Sequence, residues 1–291
     1  MITSITNHQI YARIDTMGGQ LVSLRDVHGT EYLWQGDPSY WKGQAPILFP
    51  IVGSLRDGRT VIGDKSYAMP RHGLARTRSF VRVSERSDGA VFRLQADAST
   101  KESYPFDFSL TVAYELAGAT LCQMFTVENK GEGQMPFLLG LHPGFNVPLD
   151  QEEGFEDYVI AFPLEEDCDS PVLDPESGLV LTGRRRPVLR GERLLPLRHD
   201  LFHEDALVLE SLRSRKASLY SLVSGRGVEI AFEGFDYFGI WQPEGAPFVC
   251  LEPWTGTATC DTEDDLLAHK RGARILGPGE SAQYCCKITL L

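Results

Sequence analysis

The sequence of 291 residues shows no long apolar run, no excess of positive charge and no signal-peptide pattern in its first residues. No apolar stretch approaches the roughly 20 residues that a helix needs to cross a bilayer. The formal net charge of -12 disfavours nucleic acid and anionic membranes as partners, because both bind a basic face. The opening stretch MITSITNHQI has neither the basic nor the apolar part of a signal peptide, so we expect a cytoplasmic protein.

Cysteine is present, but not in an arrangement that builds a site. The six cysteines include one adjacent pair, Cys285 and Cys286, and no C-x-x-C spacing, which fits neither a zinc knuckle nor a small disulfide scaffold. A free cysteine in an apolar segment packs as a small hydrophobe. A chain of this length buries about three quarters of its unfolded surface, so folding requires no disulfide or metal. We expect a reducing compartment, no cofactor and no metal.

Helix signals are few, whereas strand signals run along the whole chain. Residues 106–116 (FDFSLTVAYEL) alternate apolar and polar positions, as a half-buried antiparallel strand does. Residues 79–85 and 90–97 alternate similarly, and the turn signal RSDG joins them. Residues 246–253 (APFVCLEP) form a nearly continuous apolar run, which is typical of a buried central strand.

These patterns predict one all-β domain over residues 1–291. Many short strands with 28 glycines and 17 prolines indicate an antiparallel sandwich or barrel. One or two short helices are expected, at 261–270 and 199–207. The charged region 150–200, which contains GRRRPVLRGERL, is interpreted as a solvated loop or hairpin rather than a binding patch.

Three titratable side chains stand where strand-like segments end or turn. His72 lies in RHGLAR, a turn rich in glycine and arginine, and His142 follows an apolar strand in LHPGF. Glu252 directly follows PFVCL, where burial would raise its pKa towards the range of a general base. Together they indicate a proton-transfer site. Each alone also fits a structural role, as a turn histidine, a strand-end histidine or a carboxylate bonded to backbone.

Two histidines and one carboxylate are also a known set of metal ligands. Such sites usually draw two ligands from one short segment, and these residues come from three separate segments, which favours proton transfer. The motifs of hydrolase elbows, P-loops and zincins do not occur. Aromatic residues in or near the same segments are either core residues or faces for a sugar ring: Trp34, Trp41, Trp241, Trp254 and Phe145.

Four stretches in this order resemble the aldose 1-epimerase (galactose mutarotase-like) family: APILFPIVGSLRDGR, GDKSYAMPRHGLAR, LHPGF and WQPEGAPFVCLEPWTG. The resemblance covers nearly the whole chain and is nearest to the compact bacterial branch of the family. It implies an antiparallel β-supersandwich that needs no cofactor and holds a sugar in an open groove. By motif, Glu252 resembles the general base that takes the anomeric proton. His142 resembles the general acid that protonates the ring oxygen, and His72 the histidine that orients the sugar.

The family arginine that follows the FP strand is absent, since Ser54 occupies the expected place. Arg56 lies two residues further on and would face the same way in an extended segment, so we expect it to substitute. Asp236 is the nearest candidate for the substrate-binding aspartate of the family. The sugar is therefore expected to contact Arg56, Arg76, Asp236, Trp241 and Phe145.

The expected function is an aldose 1-epimerase acting on a hexose, as a monomer or homodimer. One alternative is a hexose-6-phosphate 1-epimerase, which requires a cationic cluster such as Arg56, Arg59, Arg71 and Arg76. Another is a non-catalytic carbohydrate-binding protein, although a binder need not keep three acid–base side chains. A retaining glycosidase requires two carboxylates about 5 Å apart, and Glu252 has no evident second carboxylate.

Overall fold

Antiparallel β-structure extends along the whole chain in the computed structural model, which describes residues 1–291. The first eleven strands are β1 (Ile2–Thr6), β2 (Ile10–Asp15), β3 (Gln20–Asp26), β4 (Ile47–Leu48), β5 (Arg59–Ile62), β6 (Lys65–Ala68), β7 (Val81–Arg86), β8 (Gly89–Gln95), β9 (Phe108–Ala117), β10 (Thr120–Asn129) and β11 (Met135–Phe137). The others are β12 (Gly140–Leu141), β13 (Gly144–Asn146), β14 (Tyr158–Leu173), β15 (Val180–Pro196), β16 (Leu207–Leu209), β17 (Lys216–Ser221), β18 (Gly227–Glu233), β19 (Tyr237–Trp241), β20 (Phe248–Trp254), β21 (Arg274–Leu276) and β22 (Ser281–Leu290). The prediction of an all-β fold is confirmed.

Two large sheets share the core. A nine-stranded sheet has the order β15-β14-β17-β18-β22-β10-β9-β8-β7, and a six-stranded sheet the order β16-β19-β20-β12-β4, with β13 also paired to β20. Strands β1 to β3, β11 with β21, and β5 with β6 form three smaller sheets. Residues of both large sheets belong to one cluster of 68 buried side chains. The two sheets therefore bury their apolar sides together, as in a sandwich.

Helix is confined to short turns, and its location differs from the prediction. The only α-helix is α1 (Ala98–Lys101), where the Asp97 side chain accepts from the Thr100 N–H at 2.9 Å and the Thr100 hydroxyl accepts from the Asp97 N–H at 2.9 Å. The two predicted helices are single 3₁₀ turns, His199–Phe202 and Leu267–His269. In the second segment, Asp265 binds Arg56 and Asp264 accepts from the Leu266 N–H two residues on, so neither carboxylate caps a longer helix. Further 3₁₀ turns occur at Arg56–Gly58, Ala75–Thr77 and Phe155–Asp157. No helix has the length and apolar character needed to cross a membrane.

The predicted strands lie where the period-two patterns placed them. In β9 the side chains of Phe108, Leu110 and Val112 are buried, whereas the intervening Thr111 is partly exposed. Strands β7 and β8 form the predicted hairpin, with β7 exposed at the sheet edge. The charged region 150–200 is the long hairpin of β14 and β15, and its basic run lies within β15.

Strand β20 is the element that positions the site. It lies inside the six-stranded sheet between β19 on one side and β12 with β13 on the other, and all seven of its residues are buried. This agrees with its continuous apolar sequence. A carboxylate on such a strand is removed from water unless a cavity reaches it.

Candidate active site

Strand β20 carries Glu252 into the interior, opposite Gly239 of β19. The side chain is 1% exposed, and its Oε2 atom has no hydrogen-bond partner. Burial raises the pKa of Glu252 well above its usual range because it disfavours the charged form, and the positive charge of Arg71 offsets part of that rise. Glu252 is therefore a buried carboxyl group with free hydrogen-bonding capacity.

His142 follows β12 and faces this carboxyl group. Its Nε2 atom lies 3.2 Å from Glu252 Oε2 without forming a hydrogen bond to it, and its Nδ1 atom is buried without a hydrogen-bond partner in the protein. Burial lowers the pKa of His142, and the charges of Arg71 and Arg76 lower it further. Because burial disfavours both the carboxylate and the imidazolium, it favours the uncharged forms of this pair, a carboxylic acid and a neutral imidazole.

Three rings surround the imidazole of His142 and set its orientation. Trp41 stacks on it with centroids 4.7 Å apart and planes at 25°. Trp241 and His72 contact it edge-on, at 5.6 Å and 5.5 Å between centroids. The backbone oxygen of Trp41 accepts a hydrogen bond of 2.7 Å from the indole of Trp34, which anchors the stacking residue. The imidazole ring of His142 thus has little freedom to rotate.

His72 sits on a turn whose conformation is fixed by backbone bonds. Its φ angle of 67° is in the left-handed region, its N–H donates to the Gly53 carbonyl at 2.8 Å, and the Gly53 N–H donates to His72 Nδ1 at 3.1 Å. A nitrogen that accepts this bond carries no hydrogen, so the N–H of the neutral ring is at Nε2. Burial lowers the pKa of His72 well below its usual range, with the charges of His142, Arg71 and Arg76 acting in the same direction.

The following residue, Gly73, explains why the turn needs glycine. Its φ is +76°, and a Cβ atom there would lie 2.3 Å from the carbonyl oxygen of Phe49. The chain can therefore approach the β4 segment only without a side chain at this position. The RHGLAR turn is held rigidly enough to present a neutral Nε2–H donor.

A cavity of about 420 Å³ joins the three titratable side chains. That volume is within the range of small-molecule sites. Side chains that line it include Trp41, Arg71, His72, Arg76, His142, Asp205, Trp241, Gln242, Glu244, Glu252 and Trp254. Of the predicted site residues, the structure thus brings together His72, His142, Glu252, Arg76 and Trp241.

The structure does not place Arg56 in the cavity, which corrects the expected substitution. Its guanidinium group bonds both carboxylate oxygens of Asp265 at 2.9 Å and the carbonyls of Cys260, Asp261 and Glu263. Ser54 lines the cavity, but Arg56 begins a 3₁₀ turn and reaches the loop after β20. Its hydrogen-bonding capacity is used there for structure.

Asp236 and Phe145 also lie outside the cavity. Asp236 forms an ion pair with Arg274 on β21. Phe145 is 1% exposed and belongs to the shared core, where its backbone forms a bridge with Leu33. Both expectations came from proximity in sequence, and long-range pairing directs these side chains elsewhere.

Asp205 is the cavity aspartate that sequence reasoning missed. It lines the cavity near Glu252, and its negative charge contributes to the raised pKa of that residue, after burial. Its φ of 67° is uncommon outside glycine, and its Oδ1 accepts from the Ala206 N–H at 2.7 Å. The sequence signal was misread because the segment HDLFHEDAL was interpreted as helix.

Cys250 lies on the same strand face, and its sulfur is within 4.8 Å of the ligand atoms of His142 and Glu252. Burial raises the pKa of the thiol well above its usual range, so it is protonated and not a thiolate ligand. It packs with Trp34 and Phe248 in a small buried cluster. Cys250 is a packing residue here.

The fold and the acid–base set define a galactose mutarotase-like β-sandwich, and comparison with known proteins agrees. The family model for aldose 1-epimerase matches residues 1–286. Protein LacX (chromosomal) of Lactococcus lactis subsp. lactis is 36% identical over 298 aligned positions that cover 100% of both chains.

Two solved structures are similar over nearly their full lengths. A galactose mutarotase related enzyme from Lactobacillus acidophilus has a TM-score of 0.94 and 32% identity, covering 100% of this chain and 97% of that one. A galactose mutarotase-like protein from Lactobacillus casei ATCC 334 has a TM-score of 0.92 and 31% identity, with 100% of both chains covered. The chain belongs to the aldose 1-epimerase family, which points to an isomerase-type enzyme, and the resemblance drawn from its motifs is confirmed.

Proposed function

We propose that the protein interconverts the α and β anomers of a hexose by acid–base opening and closure of the sugar ring. The observation that carries this proposal is the pair of His142 and Glu252. Their facing atoms are 3.2 Å apart, both side chains are buried, and both line a cavity of small-molecule size. Such a pair exchanges one proton internally and can deliver it to one substrate oxygen while taking another.

Ring opening requires a base at the anomeric hydroxyl and an acid at the ring oxygen. Transfer of the shared proton from Glu252 to His142 gives a carboxylate and an imidazolium, and substrate hydroxyls that donate to the carboxylate favour this form. Glu252 then takes the proton from O1, the electrons of that O–H bond form the C1=O bond, and the C1–O5 bond breaks. His142 gives its proton to O5, so no charge is left on the open sugar.

Closure on the other face reverses these transfers. After rotation about the C1–C2 bond, His142 takes the proton back from O5, O5 attacks C1, and Glu252 returns its proton to O1. The opposite anomer is formed, Glu252 is again a carboxylate and His142 an imidazolium, and return of one proton from His142 to Glu252 restores the uncharged pair. No oxidant, reductant or metal ion takes part in these steps.

The remaining cavity residues bind and orient the ring. His72, neutral with its hydrogen on Nε2, donates to the ring oxygen and so stabilises negative charge that develops there. Trp41 and Trp241 offer aromatic faces to the C–H side of the sugar. Asp205 accepts a hydrogen bond from a sugar hydroxyl, which is the role expected at first for Asp236.

The test is exchange NMR or polarimetry on freshly dissolved α-glucose and α-galactose. The wild type should accelerate equilibration, and His142→Asn should reduce turnover by about 10²- to 10⁴-fold, the usual contribution of a positioned acid or base. Glu132→Gln, at an exposed position that is not part of the cavity lining, is the control and should behave as the wild type. Near-normal turnover by His142→Asn would contradict the assignment. Sugar binding without any acceleration would instead indicate a carbohydrate-binding protein.

A further inference from the structure

The cavity wall beside His72 carries two arginines without partners. Arg71 precedes His72 and Arg76 lies four residues after it, and both side chains line the cavity. Neither guanidinium forms a salt bridge or a hydrogen bond within the protein. By contrast, Arg56 and Arg271, which are 28% and 30% exposed, bind Asp265 and Glu210. Arg56 and Arg271 thus stabilise the fold, whereas the guanidinium groups of Arg71 and Arg76 remain free to bind a ligand.

The charges of the two arginines act on each other and on both histidines of the cavity. Burial lowers the pKa of Arg76, and the neighbouring charge of Arg71 lowers it further. The same two charges lower the pKa of His142 and of His72. Two like charges that converge on a binding cavity are destabilising unless a ligand neutralises them, and planar guanidinium groups bind phosphate and carboxylate bidentately.

The proposed orientation of the sugar indicates which substituent reaches the arginines. Glu252 acts at O1 on C1, and His72 donates to the ring oxygen O5. The other ring neighbour of O5 is C5, which carries C6. C6 is thus the exocyclic carbon nearest the ring oxygen that His72 contacts, and a flexible group on C6 can reach the turn that carries Arg71 and Arg76.

We propose that the cavity selects hexoses that carry an anionic group on C6, held by Arg71 and Arg76. The group is a phosphate ester or the carboxylate of a uronic acid, since both present oxygens that match a guanidinium fork. This inference rests on the proposed function, which fixes how the ring lies. A bound anion would also offset the effect of the arginines on His142 and so favour the imidazolium that protonates O5.

Exchange NMR on the full-length protein tests the selectivity. The substrates are galactose and glucose, their 6-phosphates, and galacturonate and glucuronate, each corrected for its uncatalysed rate. One anionic class should exceed the neutral sugars by about 10- to 100-fold in kcat/KM, the size of one charge-assisted hydrogen bond. Comparison of the phosphates with the uronates identifies the anion. Arg71→Ala and Arg76→Ala should each lower that ratio about tenfold or more.

Arg59→Ala is the matched control, because Arg59 bonds Ser66 outside the cavity and its loss should leave the ratio unchanged. Equal kcat/KM for neutral and anionic sugars would overturn the inference. So would a preference that survives in both cavity variants. The wild-type rates on neutral sugars test the proposed function separately.

Binding to a protein that cannot turn over separates the two claims completely. Glu252→Gln is titrated by calorimetry with 1,5-anhydroglucitol and with its 6-phosphate, neither of which has an anomeric hydroxyl. Binding of the phosphate at least about tenfold tighter, lost in Arg71→Ala, supports the anion site even if no sugar is epimerised. Equal binding of 1,5-anhydroglucitol and its 6-phosphate, together with no preference of the wild type for uronates, would overturn the anion site. Mutarotation of neutral sugars would not be affected by that result.

Discussion

Replacing Glu252 with glutamine should weaken catalysis and strengthen the fold at the same time. Glutamine keeps the shape of the side chain but cannot ionise. In the wild type the folded-state pKa of Glu252 is raised by burial above the ordinary value of 4.5. Folding therefore becomes less favourable as pH rises above that value, because the unfolded chain releases the proton and the folded chain retains it.

The magnitude follows from this linkage. The wild type loses about 1.4 kcal/mol of unfolding free energy for each unit by which the folded pKa exceeds the unfolded one. Glu252→Gln does not titrate and avoids this loss. For a chain of this size, each kcal/mol raises Tm by about 2 °C. The difference in Tm between variant and wild type should grow from pH 4.5 upwards and level off at the folded pKa. Turnover should fall by about 10²- to 10⁴-fold.

The assay is calorimetric or fluorescence-monitored thermal unfolding from pH 4 to 8, alongside exchange NMR on a hexose. Glu132→Gln removes an exposed carboxylate without a partner and should track the wild type at every pH. A Glu252→Gln protein that is less stable than the wild type at pH 7, or whose Tm difference does not change with pH, would refute the reasoning. That result would mean that the carboxylate is stabilised in the fold by a partner.

Three further changes test individual contacts. Arg56→Ala should leave KM unchanged and lower the unfolding free energy by about 1–3 kcal/mol in denaturant titrations, because it leaves the acceptors on the 260–265 loop unpaired. A raised KM with unchanged stability would show instead that Arg56 contacts the substrate. Gly73→Ala forces a left-handed φ and a 2.3 Å contact with a carbonyl oxygen, so it should cost more than the 1–3 kcal/mol or so of backbone strain alone and reduce kcat/KM. Its control, Gly63→Ala, has a φ of +63° with no atom within 4 Å of the added Cβ, and equal losses in the two variants would contradict the steric argument. Trp41→Ala should lower kcat and shift the pH profile of kcat, because the ring stacked on His142 is lost. Trp41→Phe should restore much of the rate and of the profile. Identical pH profiles for Trp41→Ala and the wild type would exclude a role of Trp41 in positioning His142.

The titratable residues of the candidate site could be predicted from the sequence because each one is unusual among its neighbours in the chain. Glu252 is a carboxylate at the end of an otherwise apolar run, and His142 follows a strand directly before proline. In the structure both side chains are buried and face each other. The tautomer of His72 was not accessible, because it depends on the N–H of Gly53, 19 positions away in the chain.

Strand positions were also largely predictable, whereas helix positions were not. Alternation of side chains is a property of the strand itself, so β9 and β20 could be read from their own residues. The helix signals at 199–207 and 261–270 were polar side chains that also suit turns. In the structure those side chains form contacts within loops. The α-helix lies instead at Ala98–Lys101, where Asp97 and Thr100 cap each other's backbone N–H groups.

The sequence by itself thus determined the all-β fold class, the period of the strands and the identities of the three titratable side chains that meet in the cavity. Only the tertiary structure decided which charged residues surround them. Arg56 is bound to Asp265, 209 positions along the chain, whereas Arg71 and Arg76 are left without partners in the cavity. Asp205 lines that cavity and Asp236 does not. The physical reason is that alternation and burial of a strand are encoded locally. The partner that a long charged side chain reaches depends on strand pairings made between distant segments.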